Sequence, residues 1–128
     1  MGAFLSRLRT EKIAEARGLF SRATFTLLSA LRFRSLVINR IITVPAGFCT
    51  DFASVPRFGI IYALFGDRGH ASAAVHDYLL ITKLVDRSTA DKVFFEALKA
   101  EGVLWGVRHG MYVGVRAGTF KAWVMGKL

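Results

Sequence analysis

Phe25-Thr26-Leu27 and Leu31-Arg32-Phe33-Arg34 alternate apolar with polar side chains at period two. That period puts every second side chain on one face of an extended strand. The surrounding stretch, 23–44, also holds Val37, Ile38, Ile41, Ile42 and Val44. These β-branched and aromatic residues fit a pleated, half-buried surface better than a helix. The pattern predicts a small antiparallel sheet over about 22–44, with Asn39 or Arg40 marking a turn. Ser29-Ala30-Leu31 leaves a helical reading of 19–31 open.

Pro45 ends the strand pattern. Pro45-Ala46-Gly47 suits a turn with proline at its second position and glycine at its fourth. Pro56 stops any helix begun after Thr50, so 45–57 reads as an ordered loop. Beyond about residue 59 the period changes to that of helices. Ile60, Ile61, Leu64 and Phe65 form a short apolar helix closed by Gly66. Ala71 to Thr82 form a second. Arg87-Ser88-Thr89 opens a third, with Ser88 or Thr89 as N-cap. Its apolar face is Val93, Phe94, Ala97 and Leu98, and Gly102 is its stop. A fourth runs from about Val103 to Trp123. Upstream, residues 1–16 read either as a short amphipathic helix, with Phe4, Leu5, Leu8 and Ile13 near one face, or as a frayed arm. The expectation is one α+β domain over 1–128: a small antiparallel sheet, an ordered loop, then three to four packed helices.

In the last helix Gly106, Gly110, Gly114 and Gly118 recur every four residues. An interior glycine costs about 1 kcal/mol against alanine, so close backbone packing should offset the stripe. The reading is tight packing on another helix, within the domain or across a subunit contact. The alternative is that the glycines mark breaks and the segment is not one helix.

The chain has 128 residues, enough for one domain with a sizeable core, and is 53% hydrophobic, which excludes a disordered chain. Lys and Arg number 18 against 9 Asp and Glu, a net charge of +9. A cationic surface suits a polyanion: nucleic acid, an anionic membrane, or an acidic neighbour in an assembly. The basic residues are spread along the chain with no DNA- or RNA-reading motif, so nucleic-acid contact would be non-specific. The single cysteine, Cys49, excludes an intramolecular disulfide and reads as a small buried hydrophobe. The longest uncharged apolar run, Phe58 to Gly66, is too short to span a membrane. No signal-peptide pattern opens the chain, because Arg7 and Arg9 interrupt its apolar start.

Chemistry concentrates in two places. Asp51 sits among apolar residues in the 44–57 loop, and His76-Asp77-Tyr78 interrupts the apolar run from Ala73 to Ile81. An unpaired buried charge costs several kcal/mol, so these groups must pair, bind a metal or react. His76 and Asp77 are about 100° apart on a helix, so both can border one cleft. A short turn at about 83–88 makes the next helix antiparallel, which brings Asp91 near His76. A carboxylate on one ring nitrogen fixes the tautomer, and the other nitrogen can then activate water. Asp77 and Asp51 could together hold a hard cation such as Ca²⁺ or Mg²⁺. In the structural alternative, Asp51, Ser54, His76, Asp77, Tyr78 and Asp91 form a polar cluster that ties the loop to the helices. Ser54 has no nucleophile elbow around it and bonds its own loop.

The segments Val44 to Arg57, Ala73 to Leu79, and Ala90-Asp91 with Phe94 resemble a small family of uncharacterised proteins found mostly in phages and prophages. Its members share Val-Pro-x-Gly-Phe-x-Thr-Asp-Phe-Ala-Ser-Val-Pro-Arg, then His-Asp-Tyr-Leu, then Ala-Asp-x-x-Phe, over roughly 22–124 here. The resemblance implies a phage-encoded virion- or tail-associated accessory protein, in the virion or the host cytoplasm, contacting other phage structural proteins or itself. The helix pair is also similar to that of phospholipases A2. This second resemblance implies His76 as the base, Asp77 as a Ca²⁺ ligand and Asp91 as the group that orients His76. The glycine-rich calcium loop of those enzymes has no recognisable counterpart, although Pro45–Asp51 occupies its place in chain order. The expected function is thus the accessory protein; the rivals are a metal-assisted hydrolase acting on membranes and a non-specific nucleic-acid binder.

Overall fold

The alternating stretch does form strands. A computed structural model describes residues 2–14, 24–50 and 69–124. Among these residues six strands run in chain order: β1 (Ala3–Phe4), β2 (Thr10–Ala14), β3 (Thr24–Leu27), β4 (Leu31–Ser35), β5 (Arg40–Val44) and β6 (Cys49–Thr50). They make two antiparallel sheets, ordered β1-β4-β5 and β2-β3-β6. Three helices follow: α1 (His70–Thr82), α2 (Arg87–Ala100) and α3 (Trp105–Val124). The expected α+β class with a small sheet and packed helices holds.

Period two explains β4 directly. Leu31, Phe33 and Ser35 are buried while Arg32 and Arg34 are exposed. β5 pairs with it in register, Leu31 opposite Val44 and Phe33 opposite Ile42, so both strands bury the same face. The four-residue turn between them ends on Asn39 in the left-handed region, φ 54°, a conformation asparagine tolerates better than most residues.

Several expectations are corrected. Residues 1–16 are not a helix over their described part. Ala3–Phe4 and Thr10–Ala14 are strands, because β4 and β3 offer them open edges to pair with. The helical reading of 19–31 gives way to strand from Thr24 onward. The turn after β5 has Pro45 first and Gly47 third: Phe48 donates its N–H to the Pro45 carbonyl at 3.2 Å, and Gly47 has φ 88°. That positive φ at the third position is what glycine supplies to a type II turn. Cys49 is exposed, not buried. The expected helix at Ile60 to Gly66 lies outside the described residues.

α1 is buried all round in its first half, with Ala71, Ser72, Ala73, Ala74, Val75 and His76 inside, and Leu79 is buried beyond them. α2 is capped by Asp86, two or three residues earlier than Ser88 or Thr89, because its carboxylate accepts the Thr89 N–H at 2.7 Å. At the other end Gly102 (φ 82°) donates to the Lys99 carbonyl, and Val103 donates to that of Leu98. This crossed pair satisfies the last carbonyls and stops α2 where glycine was expected to stop it.

α1 and α2 cover the inner face of the β1-β4-β5 sheet, and α2 lies between α1 and α3. Phe33, Ile42 and Val44 of the sheet meet Val75, Leu79, Val93, Phe94 and Leu98 of the helices in one core. Full burial of each large side chain contributes about 1.5–3 kcal/mol. No helix among the described residues is long and apolar enough to cross a membrane.

The α3 segment is one helix, so the glycines do not break it. Gly106, Gly110 and Gly114 do not face a second helix among the described residues either. A Cβ built on Gly106, Gly110 or Gly114 meets nothing within 4 Å. The tight intradomain packing expected of the stripe is therefore absent at these three positions. α3 instead packs on α2 through a different face, where Met111 is buried and Val107 and Val115 are partly buried.

Candidate functional site

The three helices converge on one carboxylate. α1 and α2 are antiparallel across a short turn, and this brings His76 and Asp91 together. His76 Nε2 lies 2.7 Å from Asp91 Oδ1. Arg116, from α3, donates from Nη1 to Asp91 Oδ2 at 3.0 Å. Each carboxylate oxygen therefore has a hydrogen-bond donor. An ionised carboxylate only accepts, so opposite it Nε2 carries the ring proton and donates it. The imidazole also packs on the Phe94 ring, centroids 4.9 Å apart, one turn along α2 from Asp91.

Burial sets what this arrangement can do. His76 is 3% exposed and Asp91 is 0% exposed, while Arg116 reaches the surface. A carboxylate in that position needs its charge compensated, and the guanidinium supplies the compensation. The Nε2–Asp91 bond fixes the ring and its tautomer. In a base role the proton would be taken at Nδ1.

Asp77, next in sequence, turns to a different partner. Its Oδ2 accepts the Thr50 hydroxyl at 2.5 Å. Tyr78 meets Phe48 edge to face, ring centroids 5.6 Å apart. Both residues of α1 thus hold the segment that runs from the type II turn into β6. The predicted set divides accordingly: His76 and Asp91 form one pair, and Asp77 and Tyr78 tie α1 to 48–50. Asp51 and Ser54 lie outside the described residues.

The described residues fit a hard cation poorly. Ca²⁺ takes about 6–8 oxygen ligands and Mg²⁺ about six. Among the described residues no three His, Cys, Asp or Glu side chains group closely enough to hold a metal ion. Asp91 is bonded to a guanidinium, which a cation would have to displace. Asp77 is the described carboxylate that remains a candidate ligand.

Four polar residues at these junctions escaped the sequence reading. Arg116 and Thr50 complete the two links above. Glu101 caps α1 from the end of α2, accepting the Gly69 N–H at 3.1 Å, the Ser72 N–H at 2.6 Å and the Ser72 hydroxyl at 2.5 Å. Gly69, φ 101°, has no side chain to do this itself. Glu96 accepts the Ser35 hydroxyl at 2.7 Å and the Leu36 N–H at 2.8 Å, fixing the β4–β5 turn. Arg116 left a weak signal, as one of three cations, with Arg108 and Lys121, on a mostly apolar helix. The other three bond across more than 25 residues, which no local pattern encodes.

Asp86, at the α2 N-cap, has a shifted pKa. Hydrogen bonds from the Thr89 hydroxyl and the Thr89 N–H hold it below the ordinary aspartate value, with Lys92 and Arg116 adding attraction. The group serves the helix terminus.

Comparison with known proteins gives a family and no activity. Neither a curated protein nor a solved structure matches the chain. A family model described as protein of unknown function (DUF1353) matches residues 25–115. The matched span holds β3 to β6, α1, α2 and half of α3, with His76, Asp77 and Asp91, and stops one residue before Arg116. Since it takes in well over half of the 128 residues, the chain belongs to the DUF1353 family.

Proposed function

We propose that the protein is a non-enzymatic accessory component of a phage or prophage particle, virion- or tail-associated, and that its His/Asp cluster is a structural clasp. The observation that carries the non-enzymatic reading is the burial and mutual pairing of His76 and Asp91 with Arg116 as the counter-charge. A pair buried and bonded in this way joins three helices. The phage setting rests on the motif resemblance of Val44 to Arg57, Ala73 to Leu79 and Ala90 to Phe94. Its partners would be other structural proteins of the particle or further copies of itself.

The clasp makes a direct prediction. Asp91→Ala leaves a buried imidazole and a guanidinium without their carboxylate, and should destabilise the fold by about 3 kcal/mol. Asp91→Asn keeps the shape, loses the charge, and should cost less. The wild type should release no fatty acid from liposomes at any Ca²⁺ or Mg²⁺ concentration, and mass spectrometry of purified particles should find the protein. Absence from particles would remove the virion role.

One observation favours a second reading. The 2.7 Å bond from Nε2 to Asp91 is also how a catalytic base is oriented. That reading makes the protein a Ca²⁺-assisted hydrolase with His76 as base, Asp91 as its orienting group, and Asp77 with Asp51 on the metal. Ca²⁺-dependent fatty-acid release by the wild type, lost in a folded His76→Asn variant, would establish it and sink the clasp.

A further inference from the structure

The β1-β4-β5 sheet buries one face under α1 and α2 and turns the other to solvent. Register identifies the outer face. Arg34 lies opposite Ala3 and Ile41, and Arg32 lies opposite Thr43. Leu5 extends β1 by donating its N–H to the Arg32 carbonyl at 2.9 Å. Paired residues share a face, so Leu5, Arg32, Arg34 and Ile41 stand together, opposite Phe33 and Ile42. Arg32 and Arg34 are exposed, and so are the aliphatic side chains between them: Leu5 at 45% and Ile41 at 43%. The turn at the end of the hairpin adds Leu36 at 50%, Val37 at 45% and the exposed Arg40.

The charge on this face is of one sign. From residue 16 to residue 50 the chain has five arginines and no Asp or Glu. Arg32, Arg34 and Arg40 have no carboxylate partner among the described residues. The nearby Glu96 is turned inward, where it anchors Ser35 and Leu36 and so holds the hairpin tip in place.

We propose that this face docks on the surface of an anionic lipid bilayer. Arginines beside exposed aliphatics suit that partner. The guanidinium groups reach lipid phosphates while Leu5, Leu36, Val37 and Ile41 enter the boundary between headgroups and acyl chains. Nucleic acid suits it less well. Bases are held by stacking on aromatic rings, and this sheet turns its aromatics, Phe4 and Phe33, inward. A phosphate backbone would use the arginines and leave the four aliphatics in water. The face is separate from the His76–Asp91 clasp, so the two proposals stand or fall independently.

The test is co-sedimentation of the full chain with vesicles at about 0.1 M salt. Wild type should pellet with phosphatidylcholine vesicles containing about 30% phosphatidylglycerol and not with phosphatidylcholine alone. Each arginine contributes about 5-fold, so Arg32→Gln/Arg34→Gln should weaken binding about 25-fold. Leu36→Ser/Val37→Ser should weaken it too, and its loss should persist as salt screens the arginines. All four positions are exposed, so both variants should keep the wild-type melting temperature. No binding to the anionic vesicles overturns the proposal. So does binding that the arginine pair and the aliphatic pair leave unchanged. Binding of an arbitrary DNA duplex that needs Arg32 and Arg34 and ignores Leu36 and Val37, without vesicle binding, overturns it in favour of a nucleic-acid face.

Discussion

Asp91 and Asp86 are both on or beside α2, yet they do different work because of where water is. Asp91 is sealed, so its charge must be met by His76 and Arg116. Asp86 stands at the surface and is held by Thr89. Its folded-state pKa is lowered, so its contribution is full above the unfolded aspartate value of about 3.9. That contribution is lost as pH falls through the lower folded value. Asp86→Ala should therefore melt below wild type at neutral pH, and the gap should close in acid, once pH falls below the lowered folded value. Melting curves at both pH values would check this; a gap that persists in acid would mean the cap does not depend on the charge. At this scale the sequence showed which residues were anomalous. Antiparallel helices across a short turn made His76 and Asp91 neighbours, and spacing alone predicted that. Arg116 lies 25 residues further on and reaches them only because α3 packs on α2. Cys49 shows the converse. Its apolar surroundings in sequence suggested burial, but it sits on a two-residue edge strand with its side chain outward.

At the scale of the element, the glycines of α3 are the clearest departure from expectation. Their four-residue spacing is real, and the helix is continuous, but Gly106, Gly110 and Gly114 face open space. Among the described residues nothing packs on them to offset their conformational cost. Gly110→Ala should therefore stabilise the isolated chain, by about 1 kcal/mol in denaturant titration. Destabilisation would mean that the stripe is packed after all. The ends of α2 were half legible. Gly102 announced its stop, because few other residues accept a positive φ there. Its start was misplaced by two or three residues, since Asp86, Ser88 and Thr89 are all good caps and backbone geometry chose among them. The strands of 24–44 were legible because period two is a local property. The strands of 3–14 were not, because they are held by the edges of β4 and β3 and carry no strong pattern of their own.

At the scale of the whole molecule, α2 connects the parts. It covers the sheet, lies between the other two helices, and carries Asp91, Glu96 and Glu101. Glu96 ties it to the β4–β5 turn, Asp91 to α1 and α3, and Glu101 to the start of α1. Glu96→Ala should loosen the sheet from the helices. It removes two hydrogen bonds to a charged acceptor and should cost about 2 kcal/mol. Amide exchange should quicken in the turn at 36–39, the segment Glu96 anchors. Unchanged exchange there would show that apolar packing alone holds the hairpin.

The α+β class, the three described helices and the His76–Asp91 pair could all be read from the chain, because each follows from periodicity or short spacing, which are local. The split into two sheets, the clasp of Arg116 and Thr50, the outward glycines and the basic, aliphatic sheet face came only with the folded molecule. Each depends on which surface another element covers, and that is fixed by packing between segments far apart in sequence.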